Sequence, residues 1–303
     1  MEDLDTPRCV PGAADDILRT LEAFGLHSDE PVLYQSRRTS AYEKALSKLQ
    51  ASSAVYPCCC TRREIADSAL HGIEGLVYPG TCRDVIPAGR EGRAWRVRTD
   101  CPFGQNQFLP PCRGKVWMGV ESWSPNFATP SLALPLQGGG NVGSNEFVGI
   151  IDFEDTLQGR ITQHLENEIG DFVVKRADGL FAYQLAVVVD DAFQGITHIV
   201  RGADLLASTA RQIYLQRLLG LTTPAYMHLP VAVNAAGEKL SKQTLAAPVD
   251  TSQPVVTLLR VLNFLQQQPP ASLADSDLTT VRDWAIQNWD TAKLRGIQRL
   301  PAT

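Results

Sequence analysis

In VPGAADDILRTLEAFGL (10–26), Ile17, Leu18, Leu21 and Phe24 recur at the spacing of one helix face, with Asp15 and Asp16 in the first turn and Gly25 as the stop. SAYEKALSKLQAS (40–52) repeats the pattern with Tyr42, Ala45, Leu46 and Leu49, and predicts a second amphipathic helix. AWRVR (94–98) alternates as a strand does. From Ser122 to Asn145 the chain is rich in Pro, Gly, Ser and Asn and has no period, so a long loop insertion is expected over 122–145. Periodicity returns at Phe147 as short apolar runs broken by turn signals such as Ala177-Asp178-Gly179. The β-branched run AVVVDD (186–191) predicts a buried strand ending in two aspartates. ITHIVRGADLL (196–206) predicts a strand leading into the helix 208–221, and Leu258, Leu259, Val261, Leu262, Phe264 and Leu265 are core candidates in a mostly helical tail. Strands alternating with helices predict an α/β sheet finished by a helical C-terminal part.

Composition narrows the function classes. The 303 residues, 44% apolar and 20% charged, are those of an ordinary globular protein, with no apolar run of membrane-spanning length. The first residues lack a signal-peptide pattern, so a cytoplasmic location is expected. A net charge of −5 argues against a general nucleic-acid coat and leaves room for a local basic patch. The seven cysteines, an odd number, do not form a disulfide framework.

Three of those cysteines are adjacent, in YPCCCTRREIADSALHGIEGLVYPGTCR (56–83). Thiolates are the preferred soft ligands of zinc, and a structural site needs four converging donors. Cys58, Cys60 and Cys82 supply three, while Tyr78, His71 and Cys59 compete for the fourth. Cys9, Cys101 and Cys112 are isolated and are read as ordinary thiols. In GEKLSKQ (237–243), Lys239 and Lys242 flank Leu240 and Ser241 ahead of Gln243. Paired lysines on a loop can hold a triphosphate, although such a loop is usually a solvated turn.

Taken together, LFAYQLAVVVDD, HIVRGADLL and YMHLPVAVNAAGEKLSKQ resemble the second half of the glutamyl-type class I aminoacyl-tRNA synthetase core, and EDLDTPR…PGAADDILRTLEAFGL resembles the same family just after its first strand. The set Cys58, Cys60, Tyr78 and Cys82 is similar to the zinc site of one branch, the glutamyl-queuosine tRNA(Asp) synthetases; a longer spacer after Cys60 keeps His71 and Cys59 as rivals. The resemblance implies a Rossmann-like catalytic core over 1–204 that includes the zinc segment 56–83 and the insertion 122–145, followed by a mainly helical region over 205–303 with the lysine loop 239–243. It implies L-glutamate and ATP as substrates, one structural Zn2+, and tRNA(Asp) carrying queuosine as partner. Arg201 would face a carboxylate of glutamate, a strand-borne Tyr183 would hydrogen-bond it, and Glu2 would bind its α-amino group. Lys242 would sit on the ATP phosphates, with Lys239 shaping the loop. Arg62, Arg63 and Arg83 would contact RNA phosphates, and Asp190 and Asp191 receive no role.

Rival readings stand beside these: Arg201 paired with Asp204 or Asp190, Tyr183 as a core aromatic, Glu2 as a solvated terminal residue, and the three arginines as a basic rim. About sixty residues follow Gln243, too few for an anticodon-binding domain, which favours attachment to queuosine over a tRNA 3′ end. The family's opening strand, its APSPSG-like turn and its His-x-Gly-His-type motif have no counterpart in the sequence; His71 in HGIEG lies inside the cysteine segment. The expectation is therefore an N-terminally truncated enzyme, aggregation-prone and weak in ATP binding. The alternatives are a fragment of a glutamyl-tRNA synthetase and a non-catalytic zinc-containing tRNA-binding module.

Overall fold

The computed structural model describes residues 1–66, 71–72, 75–100, 149–240 and 248–302. The expected insertion 122–145, Cys101, Cys112, and Ser241, Lys242 and Gln243 of the lysine loop lie outside the described residues. In chain order the elements begin with α1 (Ala13–Ala23), α2 (Thr39–Ala51), β1 (Val55–Cys58), α3 (Arg62–Ala66), β2 (His71–Gly72), β3 (Gly75–Leu76) and β4 (Ala94–Val97). They continue with β5 (Ile150–Asp155), β6 (Gly159–His164), α4 (Leu165–Glu168), β7 (Val173–Lys175), α5 (Tyr183–Gln194), β8 (His198–Gly202) and α6 (Leu206–Leu219). The last are β9 (Ala225–Leu229), β10 (Val231–Val233), α7 (Pro254–Phe264), α8 (Leu278–Asn288) and β11 (Arg299–Pro301).

The larger sheet has the order β6-β5-β9-β8. β8 and β9 run parallel from His198–Ala225 to Gly202–Leu229, β5 joins β9 in parallel, and β6 is its antiparallel hairpin partner. A parallel pair needs a crossover, and α6 supplies it between β8 and β9. The second sheet, β1-β4-β7, is antiparallel. One core joins them: Tyr42, Leu46 and Leu49 of α2, Val97, Ile151, Leu185 and Val188 of α5, and Ala210, Ile213, Tyr214 and Leu215 of α6 are buried together. This core and sheet run without a break across the 204/205 division expected from the sequence, since α6 and β9 belong to both. A smaller cluster of Leu262, Leu273 and Val281 holds the tail, where Val261 is exposed. No described helix is long and apolar enough to cross a membrane.

One element differs from the sequence reading. AVVVDD is not a strand but the middle of α5, and Tyr183 stands at the first turn of that helix rather than on a strand. Short β-branched runs fit either geometry, and here burial on both sides of the helix overrides β-propensity: Leu185, Ala186, Val188 and Asp190 are buried, and Val187 and Val189 pack against the same core. Gly195 ends the helix in the left-handed conformation at φ 67°, which a residue with a Cβ adopts at a cost. Among the described residues β8 has a strand on one side only, with Val200 exposed, and α1 buries none of its residues. Apolar side chains on an open strand edge favour association between chains.

Candidate functional site

Arg201 reaches into the space above β8 and β9 beside the first turn of α5. Its Nε donates to His228 Nε2 at 3.0 Å, one Nη to Thr209 Oγ1 at 2.8 Å, and the other faces the Tyr183 hydroxyl at 3.5 Å. The Tyr226 ring lies 5.5 Å from its guanidinium carbon. Among the described residues no carboxylate is ion-paired with Arg201, because each sequence rival is taken: Asp190 accepts from Arg38 and from the Tyr42 hydroxyl, both at 2.7 Å, and Asp204 accepts from Lys239. A partly buried guanidinium without an ion pair, beside a phenol, is equipped to receive an anionic ligand. Burial raises the Tyr183 phenol above its usual range, so it remains a neutral hydrogen-bonding group.

The structure separates the two adjacent aspartates. Asp190 ties α5 to α2 through Arg38 and Tyr42, whereas Asp191 is half-buried and feels both Arg201 and Glu2. Desolvation, opposed by Arg201 and reinforced by Asp190 and Glu2, pushes Asp191 up to about 6. Glu2 is exposed overall, yet burial around its carboxyl raises it against the pull of the amino terminus and Arg201. Glu2, Asp191, Tyr183 and Arg201 thus form one electrostatic neighbourhood. Lys239 is engaged with Asp204, which fixes the start of the lysine loop next to the end of β8. Lys242, on which the ATP assignment rests, lies outside the described residues.

The cysteine segment forms its own small core of Tyr56, Cys58, Tyr78 and Cys82, with Cys59, Cys60 and Ile65 around it. Cys58, Cys60 and Cys82 place their sulfurs within 4.8 Å of one another. Thiolates around a tetrahedral zinc lie about 3.8 Å apart, and Cys60 and Cys82 stand at 3.5 Å. The Tyr78 hydroxyl is 3.4 Å from both Cys58 and Cys60 and accepts the Cys82 amide at 2.9 Å, so its oxygen faces all three thiols. Among the described residues the Cys59 sulfur is within hydrogen-bond reach of Cys82, at 3.5 Å, and the His71 side chain lies outside the described residues. The donor set fits a thiophilic cation. Burial raises Cys82, but hydrogen bonds from Tyr78 and neighbouring groups outweigh it and bring the thiol down to about 7; burial pushes Cys60 up to about 12. Since a bound metal displaces those protons, affinity should rise with pH. Replacing Cys58 by Ser is expected to hold zinc uptake to well under half an equivalent where the parent sequence takes up more, read by elemental analysis after gel filtration.

Beneath the cysteines lies a polar hub that no sequence spacing marked. Asp171, fully buried at its side chain, accepts from Tyr56 at 2.6 Å, from Arg83 twice at 2.8 Å, and from the Thr99 amide and hydroxyl at 2.9 Å. Arg83, a candidate phosphate contact in the sequence, also holds Asp100 at 3.1 Å and so braces the module. Arg62 and Arg63 are exposed on α3. That helix is started by Thr61 and Glu64 in a reciprocal cap. Arg96 stacks 4.0 Å over the Tyr78 ring and donates to Cys58 at 3.3 Å.

Comparison with known proteins places these features together. Residues 146–257 match the family model "tRNA synthetases class I (E and Q), catalytic domain". The glutamyl-Q tRNA(Asp) synthetase of Dechloromonas aromatica (strain RCB) is 49% identical over 100% of this chain and 86% of its own length. That of Chromobacterium violaceum is 48% identical over 97% and 82%. Among solved structures, a glutamate-tRNA synthetase from Elizabethkingia anophelis superposes with a TM-score of 0.62 at 18% identity, a likeness of fold; the chain is covered completely and spans 60% of that longer one. The chain belongs to the glutamyl-Q tRNA(Asp) synthetase family, ligases of class I of the aminoacyl-tRNA synthetases.

Proposed function

We propose that the protein activates L-glutamate with ATP and transfers the glutamyl group to queuosine in the anticodon of tRNA(Asp). The observation that supports this most is the convergence on one site of Arg201, without an ion pair among the described residues, and the neutral Tyr183 hydroxyl, in a chain whose relatives carry that name along most of their length. Arg201 binds a carboxylate of glutamate, Tyr183 hydrogen-bonds the same substrate, and Glu2 takes the α-ammonium. Lys242 neutralises the ATP phosphates as pyrophosphate leaves, a role read from the sequence. Cys58, Cys60, Cys82 and Tyr78 hold one structural zinc that would crosslink a module too small to bury much apolar surface. Arg62 and Arg63 offer phosphate contacts for the incoming anticodon arm.

Glutamate-dependent pyrophosphate exchange tests the proposed substrate: exchange should require glutamate over glutamine and aspartate. Exchange driven equally by another amino acid would remove the substrate.

The acidic pair sets a pH dependence. Below about 6 Asp191 is neutral, and above it the ionised group strengthens the field that draws an ammonium. Glutamate affinity should therefore fall as pH drops through 6 by ~10-fold, and Asp191→Asn should flatten that profile in a calorimetric titration. Because the folded-state pKa lies above the unfolded value of 3.8, ionising Asp191 costs the fold stability, a cost that is absent well below that value, grows as pH rises through it, and is complete above about 6. Asp191→Asn should thus melt higher than the parent at pH 7.5, with the difference shrinking as pH falls toward the unfolded value of 3.8.

A further inference from the structure

His228 is fully buried on β9, 27 positions from Arg201 in sequence, and has no role in the reaction outlined above. Its surroundings fix its chemistry. A guanidinium has only donors, so the Arg201 Nε–H at 3.0 Å requires His228 Nε2 to be the bare nitrogen. The other ring nitrogen, Nδ1, lies 2.6 Å from Asp155 Oδ2 and carries the proton. Asp155 is itself held: its Oδ1 accepts from the amides of Leu157, Gln158 and His228 at 3.1, 2.9 and 3.3 Å. Burial raises that carboxyl, but the His228 hydrogen bond and these amides outweigh it and keep it below the usual range, so it stays an acceptor. Thr209 Oγ1 stands 3.2 Å from the same Nε2 and 2.8 Å from an Arg201 Nη.

The count of Arg201 hydrogens shows what this achieves. A guanidinium has five N–H groups. His228 takes the one on Nε, Thr209 one on its Nη, and Tyr183 one on the other. What remains is one N–H on each terminal nitrogen, a side-by-side pair suited to the two oxygens of a carboxylate. With an Nε2–H tautomer, or an imidazolium, a donor would face a donor, and the guanidinium would swing away.

We propose that His228, locked as the Nδ1–H tautomer by Asp155, is a positioning residue that holds Arg201 with its outer N–H pair presented to a substrate carboxylate. The inference rests on the assignment of Arg201 to glutamate, and the experiment keeps the two apart. Binding of L-glutamate to the full chain is measured by calorimetry for the parent, H228L, H228Q and R201K, alongside long-range ¹H–¹⁵N spectra of the histidine rings. H228L lacks the acceptor and should weaken glutamate binding ~10-fold or more. H228Q, whose amide oxygen can accept from Arg201, should return to within ~3-fold of the parent. The parent spectrum should show a bare Nε2 and a protonated Nδ1 on His228, with the Nε2 resonance moving on glutamate addition. A protonated Nε2, or H228L binding glutamate as the parent does while R201K is impaired, would overturn the inference. If R201K also binds normally, the assignment of Arg201 to glutamate is what fails. Should H228L not fold, the tautomer and H228Q decide: H228Q binding as poorly as R201K would count against the proposal.

Discussion

Arg201→Lys is expected to lower the glutamate specificity constant of pyrophosphate exchange about 100-fold while the melting temperature changes little. Lysine keeps the charge but presents a single ammonium, and so loses the paired donors that a carboxylate matches. Each charge-assisted bond contributes about 1.5–3 kcal/mol, and the loss of one or two accounts for that factor. Stability should be nearly preserved because Arg201 takes part in no ion pair among the described residues; its protein partners are the neutral groups of His228, Thr209 and Tyr183. Kinetics with glutamate varied, set against a thermal melt, separate the two effects. Unchanged glutamate kinetics would mean that the substrate carboxylate binds elsewhere.

The largest expected effect on stability belongs to Asp171→Ala. Five hydrogen bonds converge on that carboxylate, and its removal strands Arg83, Tyr56 and Thr99 in a buried setting. Breaking a buried charged pair by deleting one partner costs about 3–5 kcal/mol, a large share of the ~5–15 kcal/mol that holds a domain together. Arg83 follows Cys82 directly, and Thr99 lies just past β4, so the hub fastens the cysteine turn to the β1-β4-β7 sheet. The variant should therefore unfold at lower urea and release the proposed zinc earlier in a chelator titration. A loss under about 1 kcal/mol, with metal retention unchanged, would mean that the hub is relaxed or solvated.

What was legible in the sequence was local or motif-borne. The helix spacing of Tyr42, Leu46 and Leu49 reappears as the buried face of α2, and VRGAD brought Arg201 to the end of β8 as expected. The clustering of Cys58, Cys60 and Cys82 was visible because three adjacent cysteines are poor core material, and the fold brings their sulfurs together. α5 was misread because a run of valines is apolar in either period, and only its burial against α2 and α6 decides for helix. Asp171, Asp155 and His228 gave no signal: the side chains that hold Asp171 lie 72 to 115 residues away, Asp155 and His228 are 73 apart, and a single buried aspartate looks like any surface one. The bracing role of Arg83 was hidden for the same reason, since its partner Asp171 is 88 positions distant.

The most direct test of the central claim bypasses the activation step. Preformed glutamyl-adenylate carrying labelled glutamate is mixed with the protein and tRNA(Asp), either containing queuosine or lacking it, and the RNA is cut to separate the anticodon arm from the 3′ end. The proposed function predicts label on the anticodon fragment of the queuosine-containing tRNA alone. Equal label on queuosine-free tRNA, label at the 3′ end, or no label on either RNA would contradict it.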